Sequence, residues 1–260
     1  MASRVPHVVR RALDLAALAG LNPRQTWLLR RLPRFWREAR HYGRAAAGSA
    51  FPLDRRELEP ILYDYGAEAG IATGHYFHQD LWAARCIYAR RPARHVDVGS
   101  RLDGFVAHVL AFMPITVIDI RPLRSRVDGL EFVQADACDL RSFPDDSVES
   151  LSSLHALEHI GLGRYGDALD PDGCFKAMRE FARVLRPGGR LYVGVPVGRQ
   201  RVRFNSERIF DPRTVISAFP GLRLVDLQAV DDTGALVDHP ELADLARATY
   251  SCGLFELTKD

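Results

Sequence analysis

Val96-Asp97-Val98-Gly99-Ser100-Arg101-Leu102-Asp103-Gly104 reads as a short β-branched strand that runs into a glycine turn and then a helix start. Gly99 lets the backbone approach a ligand closely, and the exposed N–H groups of the following helix start favour an anionic group. Outward from this stretch, short apolar runs alternate with helical stretches, the pattern of βα units on a mainly parallel sheet. The runs are His95–Val98, Ile115–Asp119, Glu131–Gln134, Val148–Leu154, Arg190–Val195, Leu222–Ala229 and Tyr250–Leu257. Between the fourth and fifth, Phe175, Met178, Phe181, Ala182 and Leu185 recur at helical spacing, which predicts a helix from about Gly173 to Arg186, ended by Pro187-Gly188-Gly189. No helix of strong periodicity separates the last two runs, so the final strand is expected to return antiparallel. The expected fold is α/β: a seven-stranded, mostly parallel sheet with helices on both faces, plus an N-terminal helical extension.

The chain has 260 residues, 47% hydrophobic and 26% charged, an ordinary composition for one large core. Its organisation reads as a basic helical extension over residues 1–50 and one domain over 51–260. Net charge is only +2, which argues against a general nucleic-acid binder. The charge is uneven, however, with ten arginines against Asp14 and Glu38 between Met1 and Ala46. Asn22-Pro23 reads as a helix cap and first turn, opening a segment in which Trp27, Leu28, Leu29, Leu32, Phe35 and Trp36 lie among arginines, with Pro33 expected to break or kink it. Two readings stay open for this segment: a cationic amphipathic element on an anionic membrane surface, or an apolar face docked on the domain or a second subunit. Arg44 to Ala50 reads as a linker. No window approaches a membrane span. The four cysteines form no metal-binding spacing, so packed thiols, no metal and a cytoplasmic location are expected.

Gly99 and Gly104 fill the outer positions of a G-x-G-x-x-G fingerprint, but Arg101 stands at the middle one, where a dinucleotide pyrophosphate needs glycine. A nicotinamide cofactor therefore fits poorly. S-adenosylmethionine carries a sulfonium and an ammonium that a carboxylate such as Asp97 can approach, directly or through water. Asp119, 22 residues after Asp97, is placed to accept from ribose hydroxyls. Asp136 is placed at the adenine edge. Gly99, Ser100, Arg101, Ile120 and Ala137 complete the expected donor site. After the fourth strand, His155, Glu158 and His159 share one face if a helix starts there. His155 comes first and is the expected general base, with Glu158 and His159 orienting it or ligating a divalent metal. Arg164, Tyr165, Asp167, Asn205 and Arg208 fall in loops on the ligand-binding rim and are the acceptor-site candidates.

Residues Arg94 to Leu257, and less firmly those from Phe51, resemble class I methyltransferases, with Asp97-Val98-Gly99, Asp119, Asp136, Leu157-Glu158-His159 and Pro187-Gly188-Gly189 in order. More narrowly, the chain resembles a little-characterised group from bacterial surface-polysaccharide gene clusters. That resemblance rests on His75-Tyr76-Phe77-His78-Gln79-Asp80, Asp97-Val98-Gly99-Ser100-Arg101, Ile118-Asp119-Ile120-Arg121-Pro122-Leu123, the run from His159 to Asp167, and Val195-Pro196-Val197-Gly198. It implies methyl transfer from S-adenosylmethionine to a hydroxyl of a surface glycan or lipid-linked sugar. Two rivals stand beside it: a catalytically idle cofactor-binding scaffold in a glycan-assembly complex, and a nicotinamide-dependent sugar-modifying enzyme.

Overall fold

The computed structural model describes residues 23–260, and the chain divides into two compact units, Met1–Ile71 and Ala72–Asp260. The proposed Asn22 cap lies outside the described residues. In the first unit, α1 (Pro23–Leu28) and α2 (Leu32–Ala45) are separated by a 3-10 turn over Leu29–Arg31. Pro33 sits in the first turn of α2, where its missing N–H has no helical partner to lose. The break thus falls just before the proline. The helix continues to Ala45, and irregular chain runs on through the turn at Gly48 to Ile71, so the unit extends beyond the expected 1–50. Glu38 accepts from Arg34 Nε at 2.7 Å and from Tyr65 Oη at 2.7 Å, and Arg31 donates to the Leu62 carbonyl at 2.7 Å. Trp27, Leu29, Trp36 and Tyr42 stay exposed. A cavity of about 570 Å³ is lined by Trp36, Ala39, Arg40, Gly43, Arg44, Leu53, Arg55 and Leu58.

The second unit is built on one sheet of eight strands in the order β3-β2-β1-β4-β5-β10-β8-β9. Its members are β1 (Val96–Val98), β2 (Ile115–Asp119), β3 (Leu130–Gln134), β4 (Val148–Leu154), β5 (Leu185–Val197), β8 (Leu222–Val230), β9 (Leu236–Asp238) and β10 (Ser251–Lys259). β6 (Arg201–Arg203) and β7 (Glu207–Ile209) form a separate hairpin. β1 to β5 are parallel, and β10 returns antiparallel between β5 and β8, pairing Leu254 with both Gly194 and Gln228. All seven expected strands are present. The eighth, β9, is a three-residue exposed edge with no alternation to betray it.

Alternation along the strands divides the core into two layers. Val117, Leu154, Tyr192 and Leu254 face Trp82, Ile87, Phe105 and Val109, which come from α3 (His75–Arg90), the turn after β1 and α4 (Ala107–Leu110). Ile118, Leu151, Val193 and Phe255 face Met178, Phe181, Val215 and Leu245, from α5 (Gly173–Val184), α6 (Pro212–Ser217) and α7 (Leu242–Leu245). Helix α5 stops two residues before the expected Arg186, because Leu185 is already extended and begins β5. Among the described residues no helix is long and apolar enough to cross a membrane.

Candidate functional site

Gly99 ends β1 in a left-handed conformation at φ 75°, and a Cβ there would lie 2.9 Å from the Ala156 Cβ. Glycine is needed for both reasons, since the loop after β4 passes directly over it. The chain then makes a wide π-helical turn over Leu102–Val106 before α4. Gly104 is also constrained: a Cβ would meet the Asp80 carboxylate of α3. Arg101 faces solvent, pairs with Asp103 at 2.9 Å and lies over the Tyr76 ring.

Asp97 points inward. It is fully buried, lines neither of the cavities described below, and accepts from Ser100 Oγ (2.6 Å), Ser152 Oγ (2.5 Å) and the Ser100 N–H (3.0 Å). Its expected approach to the donor's charges is therefore replaced by a bracing role: it fixes the Ser100 turn. Burial pushes its carboxyl up to about 6, outweighing the three hydrogen bonds that favour the ionised form. Behind it, His95 bridges Ser150 and Ser152, at 2.8 and 3.0 Å, and burial pushes that ring down to about 3.

The ends of β1, β2 and β3 meet at a cavity of about 80 Å³ lined by Gly99, Asp119, Ile120, Asp136, Ala137, His155, His159, Tyr165 and Asp167, among others. A second cavity, of about 610 Å³, adds Tyr76, Ser100, Arg101, Glu158, Arg164, Ser206, Glu207 and Tyr250. The two share Gly99, Asp119, Arg121, His155, His159 and Tyr165. The smaller alone is far below the roughly 300–1,000 Å³ of small-molecule sites, whereas the two together reach that range. Asp119 is not free as it stands. Its Oδ1 accepts from the Arg121 N–H (2.8 Å) and Nε (2.9 Å), and its Oδ2 from the guanidinium at 2.6 Å. Arg121 is in turn stacked on Tyr165, 4.3 Å from the ring centre, and Tyr165 makes an edge contact with His159. Asp136 Oδ1 accepts from the Cys138 N–H at 2.8 Å, and the residue lines the smaller cavity.

The loop after β4 is a series of tight turns in place of the expected helix start. His155 has φ 50°, outside the helical region, and its N–H donates to the Gly194 carbonyl at 2.7 Å. The turns still gather the three expected side chains. His155 Nδ1 is 2.6 Å from Glu158 Oε1, and His159 Nε2 is 3.7 Å from the same oxygen. His155 Nε2, however, lies 3.2 Å from His75 Nδ1. Both ring nitrogens of His155 are engaged, so the expected general base has no lone pair directed at an acceptor. Burial opposes protonation of this ring, but the Cys252 sulfur and the Glu158 carboxylate more than reverse it and hold its pKa well above the ordinary value. Burial, with repulsion from His155, pushes His75 down to about 4. His159 is differently placed. Its Nδ1 lies 2.7 Å from the Ser206 carbonyl, which can only accept, so Nδ1 carries hydrogen and Nε2 is the lone-pair nitrogen of the neutral ring. Arg164 is 3.3 Å from the same Nδ1 and cannot donate to a nitrogen that bears hydrogen; its donation goes to the Ser206 carbonyl at 3.0 Å.

The acceptor candidates divide. Arg164 and Tyr165 line the larger cavity. Asp167 reaches the smaller one, but its carboxylate accepts from the Gly161, Gly163 and Tyr165 N–H groups and organises the loop. Arg208 lines neither cavity, and its guanidinium donates to the carbonyls of Ile160, at 2.6 Å, and Pro171, at 3.2 Å. Asn205 also lines neither, while its neighbours Ser206 and Glu207 do. Sequence reasoning missed Tyr76, Ser206, Glu207 and Tyr250. Only Tyr76 carried a signal, in the His75–Asp80 stretch that opens α3.

A family model described as Caenorhabditis protein of unknown function, DUF268, matches residues 121–236. The ubiquinone/menaquinone biosynthesis C-methyltransferase UbiE of Hahella chejuensis is 42% identical over 66 residues, 25% of this chain and 22% of that protein. The chain thus spans about a fifth of that relative's length. The [4+2]-cyclase SpnF superposes with a TM-score of 0.50 at 17% identity, over 75% of this chain and 90% of that one. The 1,6-didemethyltoxoflavin-N1-methyltransferase of Burkholderia thailandensis, with bound 1,6-didemethyltoxoflavin and S-adenosylhomocysteine, gives a TM-score of 0.50 at 16% identity, over 75% and 94%. The fold is that of the class I methyltransferases. Within it a cyclase and an N-methyltransferase stand side by side, so the site and not the fold must carry the chemistry.

Proposed function

We propose that this chain transfers a methyl group from S-adenosylmethionine to a hydroxyl of a surface glycan or its lipid-linked precursor. The observation that carries the reading is that Gly99, Asp119 and Asp136, from three successive strand ends, line one cavity continuous with the larger one. Asp119 would hold the ribose, Asp136 the adenine edge, and Ile120 and Ala137 the flat faces of the base. The local similarity to a C-methyltransferase and the bound S-adenosylhomocysteine of a protein of like fold support that donor. For the acceptor, Tyr76, Arg164, Tyr165, Ser206, Glu207 and Tyr250 supply the mixture of ring faces and hydrogen-bonding groups that suits a sugar. The motif resemblance to proteins of surface-polysaccharide gene clusters narrows it to a glycan.

Transfer is an in-line displacement at the sulfonium methyl by the acceptor oxygen. We assign removal of the acceptor proton to His159 Nε2, because its tautomer leaves that nitrogen as acceptor whereas both nitrogens of His155 are engaged. The basic first unit, with Trp27, Trp36 and its arginines exposed, would bring the enzyme to the anionic inner face of the membrane where lipid-linked sugars reside. One observation favours the rival reading of an idle scaffold: Arg121 already occupies Asp119.

The test is to measure S-adenosylhomocysteine binding by calorimetry against a nicotinamide dinucleotide control, and methylation of glycan extracted from a strain lacking the protein. Binding and turnover are expected, and His159→Ala should lower turnover about 10² to 10⁴-fold with donor affinity nearly unchanged. Donor binding without turnover on any such extract would support the scaffold. Turnover of the His159→Ala protein within about threefold of wild type would remove His159 from the role.

A further inference from the structure

Three side chains that neither donor nor acceptor roles use converge behind His159. His75 opens α3, His155 follows β4, and Cys252 lies near the start of β10. Their ligand atoms all fall within 4.8 Å of one another. His75 Nδ1 and His155 Nε2 are 3.2 Å apart. Two imidazole nitrogens bound to one zinc ion at about 2.0–2.1 Å, with near-tetrahedral angles, are separated by about 3.3 Å. The observed spacing is therefore the edge of a tetrahedral zinc polyhedron as well as that of a hydrogen bond.

The surroundings are those of a metal site. His155 is oriented through its other nitrogen by Glu158 Oε1 at 2.6 Å, and His75 has a backbone hydrogen bond at Tyr250. A carboxylate on the far nitrogen of a ligating imidazole, as Glu158 is for His155, fixes which nitrogen faces the ion. Glu158 is wholly buried, and its Oε2 has no hydrogen-bond partner among the described residues. A cation held between the two imidazoles would sit beside this buried carboxylate and offset its burial. Cys252 is also wholly buried, and its sulfur hydrogen-bonds the His155 ring and lies 3.8 Å from Gln79 Oε1 and from the Gly253 carbonyl. Two nitrogens and a sulfur select a borderline-soft metal of the zinc class and disfavour magnesium or calcium, which take oxygen ligands.

The geometry points to a zinc-class metal site formed by His75 Nδ1, His155 Nε2 and Cys252 Sγ. Three protein ligands leave a fourth position for water or an oxygen of the acceptor, and His155 lines the cavity. This site is independent of the donor assignment, and it accounts for why His155 and His159, so close in sequence, have different partners.

The full-length protein, purified without a histidine tag or chelator, should contain about one zinc per chain. X-ray absorption on the wild type should fit one sulfur and two imidazole nitrogens among the zinc ligands. Replacement by Co²⁺ should give the thiolate-to-cobalt absorption band and the visible bands of a tetrahedral ion. Cys252→Ser should remove the thiolate band, and Glu158→Gln should weaken cobalt binding about 10 to 100-fold while keeping the band. Donor binding by the Cys252→Ser protein, unchanged, would separate failure of this site from failure of the methyltransferase reading. A wild-type protein that binds cobalt with no thiolate band, or that takes up neither zinc nor cobalt, would overturn the site.

Discussion

Asp119 offers the sharpest test of the donor site, because its two oxygens already accept three hydrogen bonds from Arg121. Binding through the ribose must exchange the guanidinium for two hydroxyl groups. Hydrogen bonds to a charged group contribute about 1.5–3 kcal/mol each. The displaced pair is half exposed on the arginine side, 49% against 16% for Asp119, and exposed pairs contribute about 0.2–1 kcal/mol. The exchange favours the donor by about 2–6 kcal/mol, so Asp119→Ala should weaken S-adenosylhomocysteine binding at least about tenfold. Arg121→Ala should have the opposite effect. Without the pair to displace, its affinity should rise by at most about fivefold. The double variant should bind like Asp119→Ala. Calorimetry on proteins checked for unchanged melting decides it: an unaltered dissociation constant for Asp119→Ala, or a tenfold loss for Arg121→Ala, would refute the exchange.

Two further outcomes are expected. Asp97 titrates near 6 in the folded chain because it is buried, against the ordinary carboxylate range when unfolded, so the folded state binds the extra proton and stability falls as pH rises from about 4 to 6. The contribution is about 3 kcal/mol, and urea melts across that window should show a flatter pH dependence for Asp97→Asn; identical slopes would remove Asp97 as the cause. In the first unit, replacing Arg37, Arg40 and Arg44 by alanine removes about 1 kcal/mol each near an anionic surface, so cosedimentation with phosphatidylserine vesicles should weaken roughly a hundredfold. Failure of the full-length protein to sediment with those vesicles would end the membrane reading.

The sheet was legible because its strands are apolar, β-branched runs whose alternation serves two core layers at once, as at Val117 and Ile118 or Tyr192 and Val193. The order of strand-end acids was legible for the same reason: a parallel strand delivers its last residue to one rim. Orientation was not. Asp97 lies in a three-residue strand buried throughout, where alternation carries no sign of which side chain faces a ligand. The helix expected at His155 was opposed by a signal present in the sequence, since Gly161, Gly163 and Gly166 all take positive φ in the turns that replace it. Cys252 read as a packed thiol because its neighbours His75 and His155 lie 177 and 97 positions away, and spacing along the chain cannot report a meeting of that range.

Arg208 shows how a residue expected at the substrate can act at one remove. Its backbone N–H donates to the Glu158 carbonyl at 3.0 Å, and its guanidinium donates to the Ile160 and Pro171 carbonyls. These bonds fix the turn that aims Glu158. Glu158 Oε1 then lies 2.6 Å from His155 Nδ1 and 3.7 Å from His159 Nε2, and its backbone is held from the β7 side that also supplies Ser206 to His159 Nδ1. One carboxylate is thus shared between a histidine committed to the buried cluster and a histidine open to the cavity. Losing the Arg208 guanidinium would remove the donor of the Ile160 and Pro171 carbonyls, while the Glu158 and Asp170 carbonyls keep the Arg208 and Gly173 N–H groups, and would loosen both histidines together. A side chain that lines neither cavity can therefore govern the placement of both histidines through a single turn.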